Sequence, residues 1–165
     1  MIAIIAAYAK NKIIGKNGHI PWKLAHEQER FRDLTTGNVV IMGRRTYESI
    51  GKRLPNRMTI VLSHTMEFSD YCNLHTAHSL TEALKYAASH ADLSDIFIAG
   101  GGKVYEEAVP LCSTMYITEI DACIDGDVRF PDFNPADFKK TVEKKIVTDV
   151  LPYEYVTFTR TDDRR

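Results

Sequence analysis

Short apolar runs rich in Ile and Val alternate with helical segments along most of the chain. Five runs are candidates for buried strands, at 2–8, 39–42, 59–62, 95–99 and 115–120. Helical spacing of apolar residues predicts four helices, at 24–35, 44–50, 79–88 and 103–109. Ser79 is placed to cap the third helix ahead of Glu82. This alternation predicts an α/β sheet that is largely parallel and covered by helices on both faces.

The C-terminal segment predicts a hairpin. Two strand-like stretches, 141–150 and 154–160, flank a turn that contains Pro152. An antiparallel hairpin at this point makes the sheet mixed. The least regular segments are 9–23 and 121–135, and loops of this length inside a compact domain are usually functional or mobile.

Length and charge limit the kinds of partner. A chain of 165 residues suits one domain, which we expect to span residues 1–165. Lys plus Arg number 21 against 22 for Asp plus Glu, so no overall field recruits nucleic acid or an acidic membrane. Any anion site must therefore be local.

The composition favours a cytoplasmic monomer without a metal. The three cysteines lack paired metal spacing, which favours a reducing compartment, and no histidine motif suggests a metal. The N-terminal apolar run of about eight residues is too short for a signal peptide or a membrane span. No exposed apolar stripe suggests a partner subunit.

Glu27 is a carboxylate in a helical stripe that should be apolar. Leu24, Phe31 and Leu34 carry the stripe, and Glu27 and Gln28 interrupt it. Burying an unpaired charge costs several kcal/mol. Two interpretations are open: the helix is rotated so that Glu27 lies at its solvent edge, or the carboxylate meets a partner or a ligand.

Three predicted strand ends carry residues that suit an anion. They are Gly43-Arg44-Arg45-Thr46, Leu62-Ser63-His64-Thr65 and Gly100-Gly101-Gly102-Lys103. Bare glycine backbone and a helix N-terminus can approach a phosphate closely, although a tight turn also explains such glycines. Ligands of open α/β sheets bind at these strand ends, so the three together indicate a ligand with more than one phosphate. The glycine run matches neither a Walker A loop nor a dinucleotide fingerprint, because Val104 and Tyr105 stand at the discriminating positions.

Two further residues lie at predicted turns. Arg57 precedes the strand at 59–62, where a guanidinium either pairs with a surface carboxylate or clamps a substrate carboxylate. Trp22, the single tryptophan, either closes the wall of a pocket or packs under its loop.

A set of short motifs runs in a fixed order through the chain: Ile5-Ala6-Ala7, Ile13-Ile14-Gly15, Gly18, Ile20-Pro21-Trp22, Glu27, Phe31, Ile41-Met42-Gly43-Arg44, Thr46, Glu48-Ser49-Ile50-Gly51, Leu54-Pro55, Arg57, Gly100-Gly101-Gly102, Val104-Tyr105, Thr118, Gly126-Asp127 and Phe130-Pro131. In order and spacing this set resembles the dihydrofolate reductase family in its bacterial form. No single motif is decisive, but the set together is highly specific.

The resemblance implies a single-domain α/β fold with a mixed eight-stranded sheet and four helices. It also implies NADPH as the hydride donor and reduction of 7,8-dihydrofolate to tetrahydrofolate, in an enzyme that binds antifolates. The segment 9–23 would then be a lid, with 121–135 packed against it.

The resemblance also implies roles for individual residues. Glu27 takes the place of the carboxylate that bonds the pterin 2-amino group and N3 and helps bring a proton to N5, with Trp22 and Thr118 completing the catalytic set. The substrate-binding positions are Ile5, Ala6, Glu27, Phe31, Ile50, Leu54, Arg57 and Thr118. The cofactor-binding positions are Ala7, Ile14, Gly15, Gly18, Ile20, Gly43, Arg44, Arg45, Thr46, Leu62, Ser63, His64, Gly100, Gly101, Gly102, Lys103, Val104 and Tyr105.

Several positions depart from the common bacterial pattern. The departures are Ile20, Glu27, Gln28, Tyr47 and Lys103. Glu27 stands where bacterial members usually have Asp, and its extra methylene moves the carboxylate by more than about 1 Å. We expect this to weaken diaminopyrimidine antifolates such as trimethoprim more than the substrate. A pterin or flavin-precursor reductase of the same fold and a catalytically silent nucleotide-binding module are the alternatives.

Overall fold

The computed structural model describes residues 1–51, 54–65, 73–90, 94–147 and 150–161. Cys72, one of the three cysteines noted above, lies outside these ranges. The four α-helices of the described residues are α1 (Glu27–Thr35), α2 (Arg44–Ile50), α3 (Leu80–His90) and α4 (Gly102–Ala108). The strands are β1 (Ile2–Ala9), β2 (Ile13–Gly15), β3 (Val39–Gly43), β4 (Met58–Leu62), β5 (Leu74–Ala77), β6 (Ile96–Ile98), β7 (Thr114–Ile120), β8 (Val128–Arg129), β9 (Phe138–Ile146) and β10 (Tyr153–Arg160).

One mixed sheet of eight strands forms the centre of the fold, in the order β5-β4-β3-β6-β1-β7-β10-β9. Neighbouring strands from β5 to β7 are parallel, and β10 is antiparallel to both β7 and β9. The predicted mixed sheet with four helices and a terminal hairpin is confirmed. Because β1, β3, β4 and β6 are parallel, their carboxyl ends meet at one edge of the sheet.

Burial on both faces explains the apolar runs. Residues 39–42 of β3 are fully buried, which requires cover on both sides of the sheet. The larger core contains Ile4, Ala6 and Tyr8 of β1 together with residues of α3 and α4. The other face carries two smaller clusters that share Phe31 of α1 and Ala99. Helix α1 therefore lies on the face opposite α3 and α4.

Several boundaries differ from the sequence prediction. Helix α1 begins at Glu27 rather than at residue 24, because Leu24 packs beside Trp22 ahead of the helix. Strand β5 was not predicted, since its sequence LHTA has a polar centre. The irregular segments 9–23 and 121–135 contain β2 and β8, which pair with each other in a separate two-stranded sheet.

The predicted cap of α3 is confirmed. The backbone N–H of Glu82 donates to the hydroxyl of Ser79 at 3.1 Å, and the Glu82 carboxylate accepts from the N–H of His78 at 2.8 Å. Two free N–H groups at the helix start are thus satisfied by side chains. Across the described ranges, no helix combines the length and apolar character needed to cross a bilayer.

Candidate active site

The first residue of α1 provides the centre of the site. The hydroxyl of Thr118 on β7 lies 2.9 Å from Oε1 and 3.1 Å from Oε2 of Glu27, and it donates to that carboxylate. Thr118 is buried and Glu27 is partly buried. Glu27 is therefore turned towards the sheet and held there, so the solvent-edge interpretation is wrong.

Burial dominates the electrostatics of Glu27. Removal from water raises the pKa of its carboxyl, while the hydrogen bond from Thr118 and the charge of Arg30 act against that rise. The position of Glu27 in the first turn of α1 also favours the anion, because the helix dipole is positive there. A carboxyl with a raised pKa can exchange a proton closer to neutral pH than an ordinary glutamate.

Apolar side chains form the wall beside the carboxyl. Ile5 and Phe31 belong to one buried cluster of the α1 face, and Leu54 and Ile50 belong to the adjoining cluster that also contains Phe31. The structure thus brings together four predicted substrate positions that are spread over 50 residues of sequence. A flat, apolar ring fits such a surface, with Glu27 available to bond its polar edge.

The predicted substrate position Ala6 has only its backbone available to the site, because its side chain packs in the larger core, on the sheet face opposite α1. Trp22 is buried under its loop in a cluster with Ala9, Ile13 and Tyr153, against which Ala7 and Tyr155 also pack. Because Ala7 and Tyr155 are the strand neighbours of Thr118, this cluster adjoins the Glu27 site. The catalytic role of Trp22 stays a prediction.

Arg57 is a buried cation beside the apolar wall, and the residue is 6% exposed. Its Nε donates to the carbonyl of Pro55 at 3.0 Å, and a terminal nitrogen donates to the hydroxyl of Thr35 at 3.1 Å. Its guanidinium lies 5.9 Å from the ring centre of Phe31. Within the described part of the chain no carboxylate forms an ion pair with Arg57, so pairing with a surface carboxylate is not observed. Burial, with Arg32 nearby, lowers the pKa of the guanidinium.

The three predicted anion-binding strand ends come together at one edge of the sheet. They follow β3, β4 and β6, which are neighbours in the sheet order. The backbone N–H of Gly43 donates to the carbonyl of Gly100 at 2.9 Å, which joins two of the ends directly. Arg44, Arg45, Ser63 and His64 supply cationic, hydroxyl and imidazole groups around them, of the kind that bind phosphate.

The glycines leave the backbone of this edge bare. A Cβ added at Gly43 would lie 3.6 Å from Val104 and 3.8 Å from the carbonyl of Gly100, and one at Gly101 would lie 3.5 Å from the hydroxyl of Thr46. Both glycines are therefore packed against their neighbours at ordinary contact distance. The donor chemistry and the open backbone together fit a nucleotide cofactor with several phosphates.

Tyr105 links this cofactor edge to the substrate wall. It is buried under the glycine turn, and its hydroxyl donates to the carbonyl of Ile5 at 2.8 Å. Burial, with the nearby charge of Glu27, raises the pKa of the phenol, so it remains a donor at all ordinary pH values. The hydroxyl therefore fixes β1 relative to α4.

The segment 9–23 lies against 121–135, as predicted for a lid. Asn11 and Ile124 exchange two hydrogen bonds of 2.9 and 3.2 Å. Nearer the tip, the ammonium of Lys16 lies 2.7 Å from the carboxylate of Asp125, and the N–H of Asn17 donates to Asp127 at 3.1 Å. Ile20 is 65% exposed at this tip, which leaves its side chain free to contact a ligand.

Sequence reasoning missed two groups beside Glu27. The guanidinium of Arg30 lies over the ring of Tyr155, 4.0 Å from its centre, and Tyr155 is paired with Thr118 across β7 and β10. No motif marks either residue, and only the strand register brings them to the site. Of the His, Cys, Asp and Glu residues that the structure describes, no three are grouped so as to hold a metal ion.

Comparison with known proteins agrees with this geometry. Residues 1–160 match the family model described as dihydrofolate reductase. Dihydrofolate reductase type 3 of Salmonella typhimurium is 39% identical over 160 residues, covering 90% of this chain and 96% of the relative. Dihydrofolate reductase type A13 of Escherichia coli is 36% identical and covers 96% of this chain and 94% of the relative.

A solved structure has the same fold. Dihydrofolate reductase from Enterococcus faecalis, complexed with NADP(H) and RAB-propyl, superposes with a TM-score of 0.86 at 32% identity, covering 98% of this chain and 97% of that one. The sheet, its phosphate-suited edge and the partly buried Glu27 carboxyl fit a reductase that uses a nucleotide cofactor. The chain belongs to the dihydrofolate reductase family, and its cofactor is NADPH.

Replacing Thr118 tests the electrostatics of Glu27. We expect Thr118→Val to lower the free energy of unfolding by about 1–3 kcal/mol near neutral pH, because a partly buried carboxylate loses its donor. Burial makes the folded protein bind the Glu27 proton more tightly than the unfolded chain does, so the favourable contribution is complete below the unfolded pKa and is lost as pH rises through the folded pKa. Removing the donor raises the folded pKa further, so the cost of Thr118→Val grows from acidic to neutral pH.

Urea unfolding of wild type, Thr118→Val and Thr118→Ser at several pH values measures this difference. Thr118→Ser retains the hydroxyl and serves as the matched control, so it should lose less stability at neutral pH. A cost for Thr118→Val that does not vary with pH would show that the hydroxyl acts through packing alone.

Proposed function

We propose that this protein reduces 7,8-dihydrofolate to 5,6,7,8-tetrahydrofolate, with hydride transfer to C6 and protonation at N5. The observation that carries the proposal is the partly buried Glu27 carboxylate, bonded by Thr118 and bordered by the apolar wall. Membership of the dihydrofolate reductase family supports the same substrate. We also propose a cytoplasmic monomer, which the exposed free thiol of Cys123 suits.

Glu27 orients the pterin ring in this proposal. Its two oxygens can accept hydrogen bonds from the 2-amino group and N3, while Ile5 and Phe31 contact the ring faces. The hydroxyl of Thr118 fixes the direction in which the carboxylate points. When it is ionised in a poorly solvated pocket, a carboxylate favours positive charge on the neighbouring ring. Glu27 therefore promotes protonation of the pterin at N5.

Arg57 binds the distal end of the substrate. Its bonds to Pro55 and Thr35 hold the guanidinium in place and leave its other N–H groups for a ligand carboxylate. The α-carboxylate of the glutamate moiety of folate is such a group. The absence of a carboxylate partner among the described residues supports this clamp.

The strand ends after β3, β4 and β6 orient the cofactor. When bound, NADPH supplies the hydride. The glycine backbone and Thr46 would hold its pyrophosphate, and Arg44, Ser63 and His64 would bind the 2′-phosphate. The pairing of β2 with β8 and the contact of Lys16 with Asp125 hold the segment 9–23 against 121–135, from which it could cover the site and exclude water as a lid.

Glu27→Gln tests the reaction itself. The amide keeps the size of the side chain but cannot carry the charge or the proton, so turnover near neutral pH should fall by about 10²- to 10⁴-fold. NADPH affinity should be unchanged. Loss of the reduced nicotinamide absorbance on mixing protein, NADPH and dihydrofolate measures turnover, and quenching of protein fluorescence measures NADPH binding.

Glu29→Gln is the matched control, since Glu29 lies on the same helix with a 57% exposed side chain. It should retain wild-type turnover. A wild-type protein that binds NADPH without oxidising it in the presence of dihydrofolate would contradict the proposal and indicate a silent nucleotide-binding module.

Arg57→Leu tests the carboxylate clamp. Loss of charged hydrogen bonds worth about 1.5–3 kcal/mol should raise the KM for dihydrofolate by roughly 10- to 100-fold. A dihydropterin without the glutamate tail should be reduced equally by the variant and the wild type. The comparison of two substrates within one variant removes any general loss of folding, and an equal loss for both would rule out the clamp.

Glu27→Asp tests whether Glu27 weakens antifolates. The shorter side chain withdraws the carboxylate by more than about 1 Å, to the position that a diaminopyrimidine is expected to meet. We expect trimethoprim to bind Glu27→Asp about tenfold more tightly, equivalent to about 1.4 kcal/mol, with dihydrofolate affected less. Calorimetric titration of the NADPH complex measures both affinities, and equal trimethoprim affinities would mean that Glu27 is not the cause.

A further inference from the structure

Arg30 is a cation held next to the active-site carboxyl without being paired to it. It lies three residues after Glu27, so both side chains project from one face of α1. Its guanidinium stacks over the ring of Tyr155 at 4.0 Å from the ring centre. Of the carboxylates that the structure describes, none forms an ion pair with Arg30 within 4.0 Å.

The register between β7 and β10 determines how Glu27 and Arg30 are placed relative to each other. Thr118 and Tyr155 are directly opposite each other on the antiparallel strands β7 and β10, so their side chains share one face of the sheet. Glu27 is bonded to Thr118, and Arg30 rests on Tyr155. The Glu27 carboxyl and the Arg30 guanidinium thus contact two residues that are directly opposite each other on β7 and β10.

The ring of Tyr155 limits where the guanidinium can move. Stacking on an aromatic face is favourable for a cation and leaves its N–H groups free at the edge. A groove of about 470 Å³ between α1 and the β9–β10 hairpin borders the same side chain. Arg30 therefore stays hydrated on one side while its charge remains close to Glu27.

Other charged groups surround this pair. The titratable groups that face Glu27 and Arg30 come from α1 and the residue before it, α4, β7, β9 and β10. They are His26, Glu29, Asp33, Tyr105, Tyr116, Glu143, Lys144, Tyr153 and Tyr155. Glu29 is engaged by His26 at 3.3 Å and by Arg32 at 3.9 Å. Among the cations near the site, Arg30 is the one whose charge acts on the Glu27 carboxyl.

We propose that Arg30 is a positioning residue whose charge sets the pH range in which the Glu27 site delivers a proton to the substrate. This rests on the proposed role of Glu27. A fixed positive charge opposes protonation of its neighbour, whether the proton resides on Glu27 or on N5 of a pterin beside it. Removing the charge therefore moves the alkaline fall in turnover to higher pH in either case.

The experiment compares pH profiles of turnover with NADPH and dihydrofolate. Arg30→Met and Arg30→Gln both remove the charge and keep a helix-compatible side chain, whereas Arg30→Lys keeps the charge. The ratio of turnover at about pH 9 to that at about pH 7 should rise by roughly threefold or more in the two neutral variants and stay near the wild-type value in Arg30→Lys. Arg32→Met removes an equal charge from the exposed side of α1 and should leave the ratio unchanged.

A second measurement does not depend on the reaction. NMR titration of labelled glutamate carboxyl carbons, with the Glu27 signal identified by its loss in Glu27→Gln, follows the protonation of Glu27 in the free protein. Its midpoint should move to higher pH in both neutral variants. Unchanged midpoints and pH profiles in these variants, or an equal shift in Arg30→Lys, would overturn the proposal. A wild-type protein that does not reduce dihydrofolate would refute the proposed function while leaving this titration to decide the effect of Arg30.

Discussion

The site depends on one cross-strand row in which Ala7, Thr118 and Tyr155 lie side by side on β1, β7 and β10. Because side chains alternate between the two faces of a sheet, a slip of one residue in β7 would turn the Thr118 hydroxyl away from α1. Ile117, which precedes Thr118, opposes such a slip because it packs in the core of the other face. The core that stabilises the sheet therefore also determines the protonation chemistry of Glu27.

The sequence predicted the regular part of this fold because burial on both sheet faces leaves an unambiguous apolar run. Strands β1, β3, β4 and β7 are of this kind, and the four helices lie between β1 and β7 in the chain. Strand β5 has only Leu74 and Ala77 buried, so its sequence carries no such pattern. Strands β2 and β8 form only through each other, and the pairing of Ile13 with Arg129 is a long-range contact that local sequence does not encode.

The functional residues also divide into those that the local sequence predicts and those that depend on long-range contacts. The phosphate-suited strand ends could be predicted because parallel strands bring their carboxyl ends together whatever the details of packing. Glu27 could be recognised as anomalous, but its orientation followed only from the donor on β7. The stacking of Arg30 on Tyr155 depends on the register of a hairpin near the C-terminus, and no motif in either segment indicates it. Ala6 shows the limit of motif matching, because the position is adjacent to the site while its side chain faces the opposite core.

The ion pair between Lys16 and Asp125 and the hydrogen bond between Thr118 and Glu27 differ in their exposure to dissolved ions. Lys16 and Asp125 meet at the lid tip with side chains 45% and 86% exposed, whereas Thr118 is 1% exposed beneath Glu27. At physiological ionic strength the screening length is about 8 Å, so added salt weakens the lid contact far more than the internal hydrogen bond. Ionic strength therefore acts on the contact between segments 9–23 and 121–135 while the geometry of the Glu27 carboxyl stays the same, so salt can change one part of the site without changing the other.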